Sequence, residues 1–262
     1  MKRPLVLAKV VWIEMLRKKD FYILLILLAA LTFALMTVDP FGVEEVGGYV
    51  LDLGLLAIWL FTIILAVTLA TRQIPGEERK RTIFSLLAKP VSRLDLVVGK
   101  WLGSWLAVVA ASAAFYLLLA LAVQLRGGGI EVIPMLQAWV LHSVMLGVVT
   151  AISIALSTRM TYGAAATTSF IVQAAIYSIV PSIPTWASYA TGVRKALLLV
   201  FYYALPHYEL FNMRRRLVHD WGGVDWDVFF LVVAYGLTLS LFFICVAWFA
   251  CRNKRFKRGA AM

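Results

Sequence analysis

Long apolar runs without a charge, separated by shorter polar stretches, organise this sequence. The runs cover 21–38, 53–71, 101–125, 132–158, 160–193 and 228–251. Each is long enough to cross a hydrocarbon core of about 30 Å as a helix. A further run, 196–208, has about half the necessary length and reads as an interfacial or re-entrant segment. The pattern predicts an all-α membrane protein, one domain over 1–262, with six spans at about 21–38, 50–71, 97–125, 134–156, 164–183 and 228–251.

The polar stretches carry their own patterns. Over 4–19, Leu5, Ala8, Val11, Trp12, Met15 and Leu16 recur at helical spacing, with Lys2, Arg3, Lys9, Glu14, Arg17 and Lys18 largely opposite. That predicts a helix lying on the membrane, or else an extension of the first span. Between the second and third spans, Pro75-Gly76 reads as a breaker, and Glu77-Glu78 then suit a helix N-terminus. Ile83, Leu86 and Leu87 form an apolar stripe, and Pro90 stops the helix. Ser92-Arg93-Leu94-Asp95 is a capping-box pattern able to start the third span. A short capped amphipathic helix over 77–89 is therefore expected where a plain connection would need none. In the third span Gly99, Gly103, Ala107 and Ala111 set a small residue at every fourth position, a strip that lets helices approach closely, inside one subunit or at a dimer seam.

Charge adds an orientation. The segments 1–20, 72–100, 157–163 and 251–262 carry 19 of the 25 Lys and Arg residues, and 38–49, 126–133 and 184–226 carry the other 6. By the positive-inside rule the first set is cytoplasmic, and with it both termini. Arg214, Arg215 and Arg216 fall on the outer side against that trend. The net charge of +11 is spread over membrane flanks, which fits anionic lipid and not nucleic acid. The apolar fraction of 62% exceeds what a soluble domain carries. Residues 1–20 lack the features of a cleavable signal. Cys245 and Cys251 make no CxxC motif and imply no disulfide framework.

Several chemistries find no pattern here. No G-x-x-x-x-G-K-[ST] occurs, so ATP is not expected to bind this chain, and no H-E-x-x-H or paired-cysteine zinc pattern occurs. His207, Met213 and His219 match no strong copper spacing. Asp, Glu, Lys and Arg lie outside the spans or at their ends, Asp52 and Asp227 among them. Only His142 could carry a proton at mid-depth, and it reads better as a hydrogen-bonded helix residue. Energy for uphill transport would enter from the cytoplasmic surface.

The loop residues Glu77, Glu78, Thr82, Leu86-Leu87, Pro90-Val91-Ser92-Arg93 and Gly99-Lys100 resemble the stretch between the second and third spans of type-2 ABC transporter permeases, with Arg81 where Gly is usual. Pro206, Glu209, Leu210, Phe211 and Asn212 resemble a segment of the branch containing the nitrous-oxide-reductase maturation permease. The resemblance implies an exporter permease of a bacterial or archaeal plasma membrane. It would form a homodimer, or pair with a related permease, on two separate ATPase subunits that hold ATP and Mg, with no cofactor in this chain. Glu77, Glu78, Arg79, Thr82, Ile83, Phe84 and Leu87 would contact the ATPase as a coupling helix. Pro206, Glu209, Phe211 and Asn212 would belong to an outer gate, and substrate would pass between two permeases. The alternative is a membrane anchor or assembly factor that transports nothing. A membrane-embedded enzyme would need a convergent catalytic set that the sequence does not offer.

Overall fold

The computed structural model describes residues 11–13, 19–37, 46–79, 92–125, 129 and 131–252. Among them the chain is helical with no strand. The helices are α1 (Lys19–Thr37), α2 (Val46–Arg79), α3 (Arg93–Leu125), α4 (Val132–Ser157), α5 (Tyr162–Ile179), α6 (Ile183–Ser188), α7 (Gly192–Ala204), α8 (Arg214–Val218) and α9 (Trp226–Arg252). Two 3₁₀ turns, Val180–Ser182 and Tyr208–Phe211, precede α6 and follow α7. Five stretches are long and apolar enough to cross a membrane: Gly48–Arg79, Arg93–Leu125, Val132–Ser157, Tyr162–Ser188 and Trp226–Arg252. α1 is a further apolar helix of 19 residues. Most of the interfacial helix expected over 4–19 lies outside the described residues, of which 11–13 are helical.

Helix α4 is the centre of the bundle, packed by α2, α3, α5 and α9. A helix apolar on every side has no face to offer water and lies in protein or in lipid; α4 is mostly buried in protein. Its hydroxyls turn inward onto their own backbone. Ser143 donates to Trp139 O at 2.7 Å, Thr150 to Leu146 O at 2.9 Å and Ser153 to Val149 O at 2.8 Å. The seam with α3 is built from two stacked indoles, Trp101 and Trp105, with ring centroids 4.9 Å apart. Trp101 Nε1 donates to Gly147 O at 3.0 Å and Trp105 Nε1 to Ser143 O at 2.7 Å. Gly147 permits this approach, because a Cβ there would lie 3.1 Å from Trp105 Nε1 and 3.3 Å from Ser240 Oγ. The outward surface is as apolar as the core, with Leu121, Ile171, Phe230, Leu231 and Phe242 all exposed.

The break expected at Pro75-Gly76 does not occur, and α2 runs through both residues to Arg79. Proline removes one backbone donor and crowds the preceding turn, a cost of about 3 kcal/mol in a free helix. Here the turn is enclosed. Ile74 is buried in a cluster with Ala70, Val97, Trp101, Ala151, Ile154, Ile244 and Ala247, drawn from α2, α3, α4 and α9. Packing on three neighbouring helices outweighs the local preference. Of the helix expected over 77–89, residues 77–79 are thus the last turn of α2, and 80–89 lie outside the described residues.

The capping box at the start of α3 forms as its residues dictate. Asp95 N–H donates to Ser92 Oγ at 3.0 Å, and Ser92 N–H donates to Asp95 Oδ2 at 3.1 Å. Arg93, beside it, donates from Nη1 to the carbonyls of Cys251 and Arg252. A cation on the last carbonyls of α9 complements the negative end of that helix. One dipeptide thus finishes two helices.

Replacing Gly147 by Leu is expected to part the α3–α4 seam and lower stability by about 1–3 kcal/mol, the usual range for overpacking. Gly163→Leu, at a site with nothing within 4 Å of a Cβ, should have little effect. Thermal unfolding of the two purified variants in detergent measures the difference.

Candidate functional site

The two ends of the bundle carry the polar contacts that could matter for function. At the end formed by the C-termini of α2 and α9 and the N-terminus of α3, Lys100 and Glu77 make an ion pair. The Lys100 side chain is only 3% exposed, so its charge is compensated inside the protein and not by water. Arg72 lies over the Tyr162 ring at 5.5 Å, linking α2 to the start of α5. Of the residues expected to touch a partner ATPase, Glu77, Glu78 and Arg79 end α2, with Arg79 exposed. Thr82, Ile83, Phe84 and Leu87 lie outside the described residues.

The strip Gly99, Gly103, Ala107 and Ala111 is buried along α3. Ala107 and Ala111 belong to the same core cluster as Ile58, Leu65 and Val149 of the neighbouring helices.

At the opposite end, residues 205–224 fold back against the spans. Tyr208 Oη donates to Gln173 Oε1 of α5 at 2.5 Å. His207 N–H donates to Tyr235 Oη of α9 at 3.2 Å. The Phe211 ring sits against Gly236, where a Cβ would lie 2.8 Å from Phe211 Cε1 and 2.4 Å from Val144 Cγ1. Glycine is what lets this ring reach α9. Gln137 of α4 clasps the main chain of Val224, donating to its carbonyl at 2.9 Å and accepting from its N–H at 2.8 Å. The turn before that clasp uses positive φ at Asp220 (49°) and Gly222 (71°).

The strongest of these contacts is a bidentate ion pair. Arg214 at the start of α8 donates from Nε to Asp52 Oδ1 at 2.6 Å and from Nη2 to Asp52 Oδ2 at 2.7 Å. The two planar groups match in shape, which makes such pairs short and directional. Hydrogen bonding to the Asp52 carboxylate pushes the Arg214 guanidinium above its ordinary pKa, so its charge is permanent. Next to the pair is a cavity of about 20 Å³, lined among others by Trp59, Tyr116, His142, Tyr177 and Asn212. It has room for a water molecule. His142 closes its inner side. The Thr62 hydroxyl donates to Ile58 O at 2.7 Å and therefore accepts from His142 Nε2 at 2.9 Å, which sets the ring's tautomer. His142 is thus a bonded helix residue.

Of the expected outer-gate residues, Pro206 and Phe211 are buried, while Glu209 and Asn212 are exposed. Phe211 and Asn212 meet Arg214 at the cavity. Sequence reasoning missed the partner of Arg214. The signal was present: Asp52 is an acid at the mouth of a long apolar run, and the Arg214–Arg216 run was the largest basic cluster on the wrong side.

A sequence profile of the ABC-2 family transporter proteins matches residues 5–250, nearly the whole chain. The chain belongs to the ABC-2 transporter family. It is accordingly an integral membrane protein and the transmembrane permease component of an ABC transporter, and ABC-2 membership implies an ABC ATPase as partner. No curated protein is significantly similar to it. In an ABC-2 permease the two polar ends acquire meaning as the ends of the membrane domain, joined by the continuous helix α2.

Asp52→Asn and Arg214→Gln should each lower stability by roughly 1 kcal/mol, since the pair is partly exposed. The double variant should be no worse than either single one, because both remove the same interaction. Thermal unfolding in lipid nanodiscs gives the four values of that cycle.

Proposed function

We propose that this chain is the permease half of an ATP-driven exporter, acting as a dimer with itself or a related permease on two separate ATPase subunits. It crosses the membrane six times, α1 being the first span, and keeps both termini in the cytoplasm. The distribution of 19 basic residues against 6 supports this orientation, and in it the Glu77–Lys100 end faces the ATPase. The segment following Arg79 docks there, with Glu77, Glu78, Arg79, Thr82, Ile83, Phe84 and Leu87 as contacts. Residues 205–224, with Pro206, Glu209, Phe211 and Asn212, form a re-entrant outer gate. ATP and Mg belong to the partner subunit. Substrate passes between the two permeases.

The observation that carries this reading is the continuity of α2. It runs unbroken from Asp52, paired with Arg214 of the outer segment, to Glu77, paired with Lys100. At 1.5 Å per residue those two anchors lie roughly 37 Å apart. A helix enclosed on several sides and pinned by an ion pair near each end moves as a rod. A displacement imposed beyond Arg79 by ATP binding then reaches the outer gate without an intervening hinge. Had Pro75-Gly76 broken the helix, the docking segment and the gate would be mechanically separate.

Purification of the native complex tests the proposal. The chain alone is expected to hydrolyse no ATP and to co-purify with an ATPase that does. Replacing Glu78 and Phe84 together by Ala should reduce substrate-coupled turnover or release the ATPase while the spans stay inserted. Normal binding and turnover by the double variant would remove the coupling role from this segment. If no ATPase co-purifies, the chain is an anchor or assembly factor instead.

A further inference from the structure

Helix α7 is amphipathic, and its apolar side turns away from the protein. Val193, Leu197, Val200, Phe201 and Ala204 recur at helical spacing, and all five are exposed. The first four are each more than half exposed. No residue of α7 is buried, and the helix packs mainly on the short helix α6. Its other side, with Leu198, Leu199 and Tyr202, is half-buried, and Tyr202 packs against the core. In water the outward side would be an uncovered apolar patch.

Charge is sorted along the same helix. Arg194 and Lys195 stand in its first turn, and no Asp, Glu, Lys or Arg follows until Glu209. Both cations are exposed, and among the described residues neither side chain makes an ion pair or a hydrogen bond. The two ends of α7 lie at different levels of the bundle. The N-terminal end follows Trp186 and Tyr189, exposed aromatics of the kind that sit among headgroups. The C-terminal end runs through Pro206 to His207 and Tyr208, which bond Tyr235 of α9 and Gln173 of α5. Tyr235 is the tenth residue of α9, so this anchor lies roughly 13 Å inside the helix end. With 13 residues α7 is roughly 20 Å long, too short to cross a bilayer.

We propose that α7 is a docking surface for anionic phospholipid, with acyl chains against Val193, Leu197, Val200 and Phe201 and phosphate at Arg194 and Lys195. The proposal rests on the permease reading above, which puts this end of the bundle in the outer leaflet. There α7 slopes from the headgroups into the acyl region, with its charges only at the shallow end. Long basic side chains reach the headgroup layer from that position while the apolar body stays in hydrocarbon. A second copy of α7 fits poorly, because it would set two cations against two cations. A soluble acidic partner meets the cations and leaves the apolar face uncovered. Zwitterionic lipid covers the face and leaves both charges without net compensation. Anionic lipid meets both demands. Because α7 leads directly into residues 205–224, a lipid held on it also bears on where that segment begins.

The test uses the full-length chain with Cys245 and Cys251 replaced by Ser, in phosphatidylcholine nanodiscs. Ala196→Cys carries an NBD fluorophore, which doxyl-labelled lipid quenches on contact. Doxyl-phosphatidylglycerol and doxyl-phosphatidylcholine are compared at the same mole fraction. The anionic lipid should quench at least about twofold more. Arg194→Gln and Lys195→Gln together should make the two lipids equal while quenching by the neutral one persists, and Arg194→Lys should keep the preference. A label at Leu231→Cys, on the exposed face of α9, should be quenched by both lipids whether or not the cations are replaced. Quenching at Ala196→Cys by neither lipid, with the Leu231→Cys label quenched, overturns the membrane placement of α7. Equal quenching with both cations present, or a preference that survives their replacement, overturns the anionic docking. Failure of the permease reading shows separately, as the lack of an ATPase partner.

Discussion

Polar groups inside a chain solvated by lipid must find their partners within the chain, and most of this structure follows from that constraint. The hydroxyls of α4 bond their own preceding turns. The indoles of α3 spend their single donors on α4 carbonyls, which fixes the distance between the two helices and requires glycine at 147. The outer segment is held by the same demand, through Gln137 on Val224, Gln173 under Tyr208 and Asp52 on Arg214. With apolar residues inside and outside alike, burial of apolar area gives little preference among helix arrangements in a membrane. Directional contacts and small residues supply the preference.

Much of the architecture was legible because it depends on that same solvent. Runs without charge mark the long helices, since only a continuous helix satisfies its backbone in hydrocarbon. Ser92 to Asp95 could be read as a cap because the pattern is local and its bonds join residues three apart. The break at Pro75-Gly76 was misread for the opposite reason. Propensity speaks for a helix in isolation, whereas Ile74 is surrounded by α3, α4 and α9. Neither the Asp52–Arg214 pair nor the Gln173–Tyr208 bond can be found by spacing, because each joins residues far apart in sequence. Arg214 was visible only as an unexplained charge on the wrong side.

The two ends of the permease are unlike in a way that suits the roles proposed for them. At the Glu77–Lys100 end the Lys100 charge is buried and compensated by Glu77, and Arg93 ties α3 to the terminus of α9, so this end behaves as one block. At the other end the contacts are more numerous but each is small, and the Asp52–Arg214 pair is partly exposed. A gate needs contacts that can be broken singly, and the end that receives force needs contacts that hold. Helix α2 belongs to both.

The central claim is that α2 carries a change at the ATPase surface to the outer segment through the Asp52–Arg214 pair. Hydrogen exchange of the main-chain amides at 207–213, measured in nanodiscs with and without the docked ATPase, tests it most directly. The account predicts that docking alters exchange at these amides in the unmodified chain, and that Asp52→Asn abolishes the response while the ATPase still docks. An undiminished response in Asp52→Asn would contradict it.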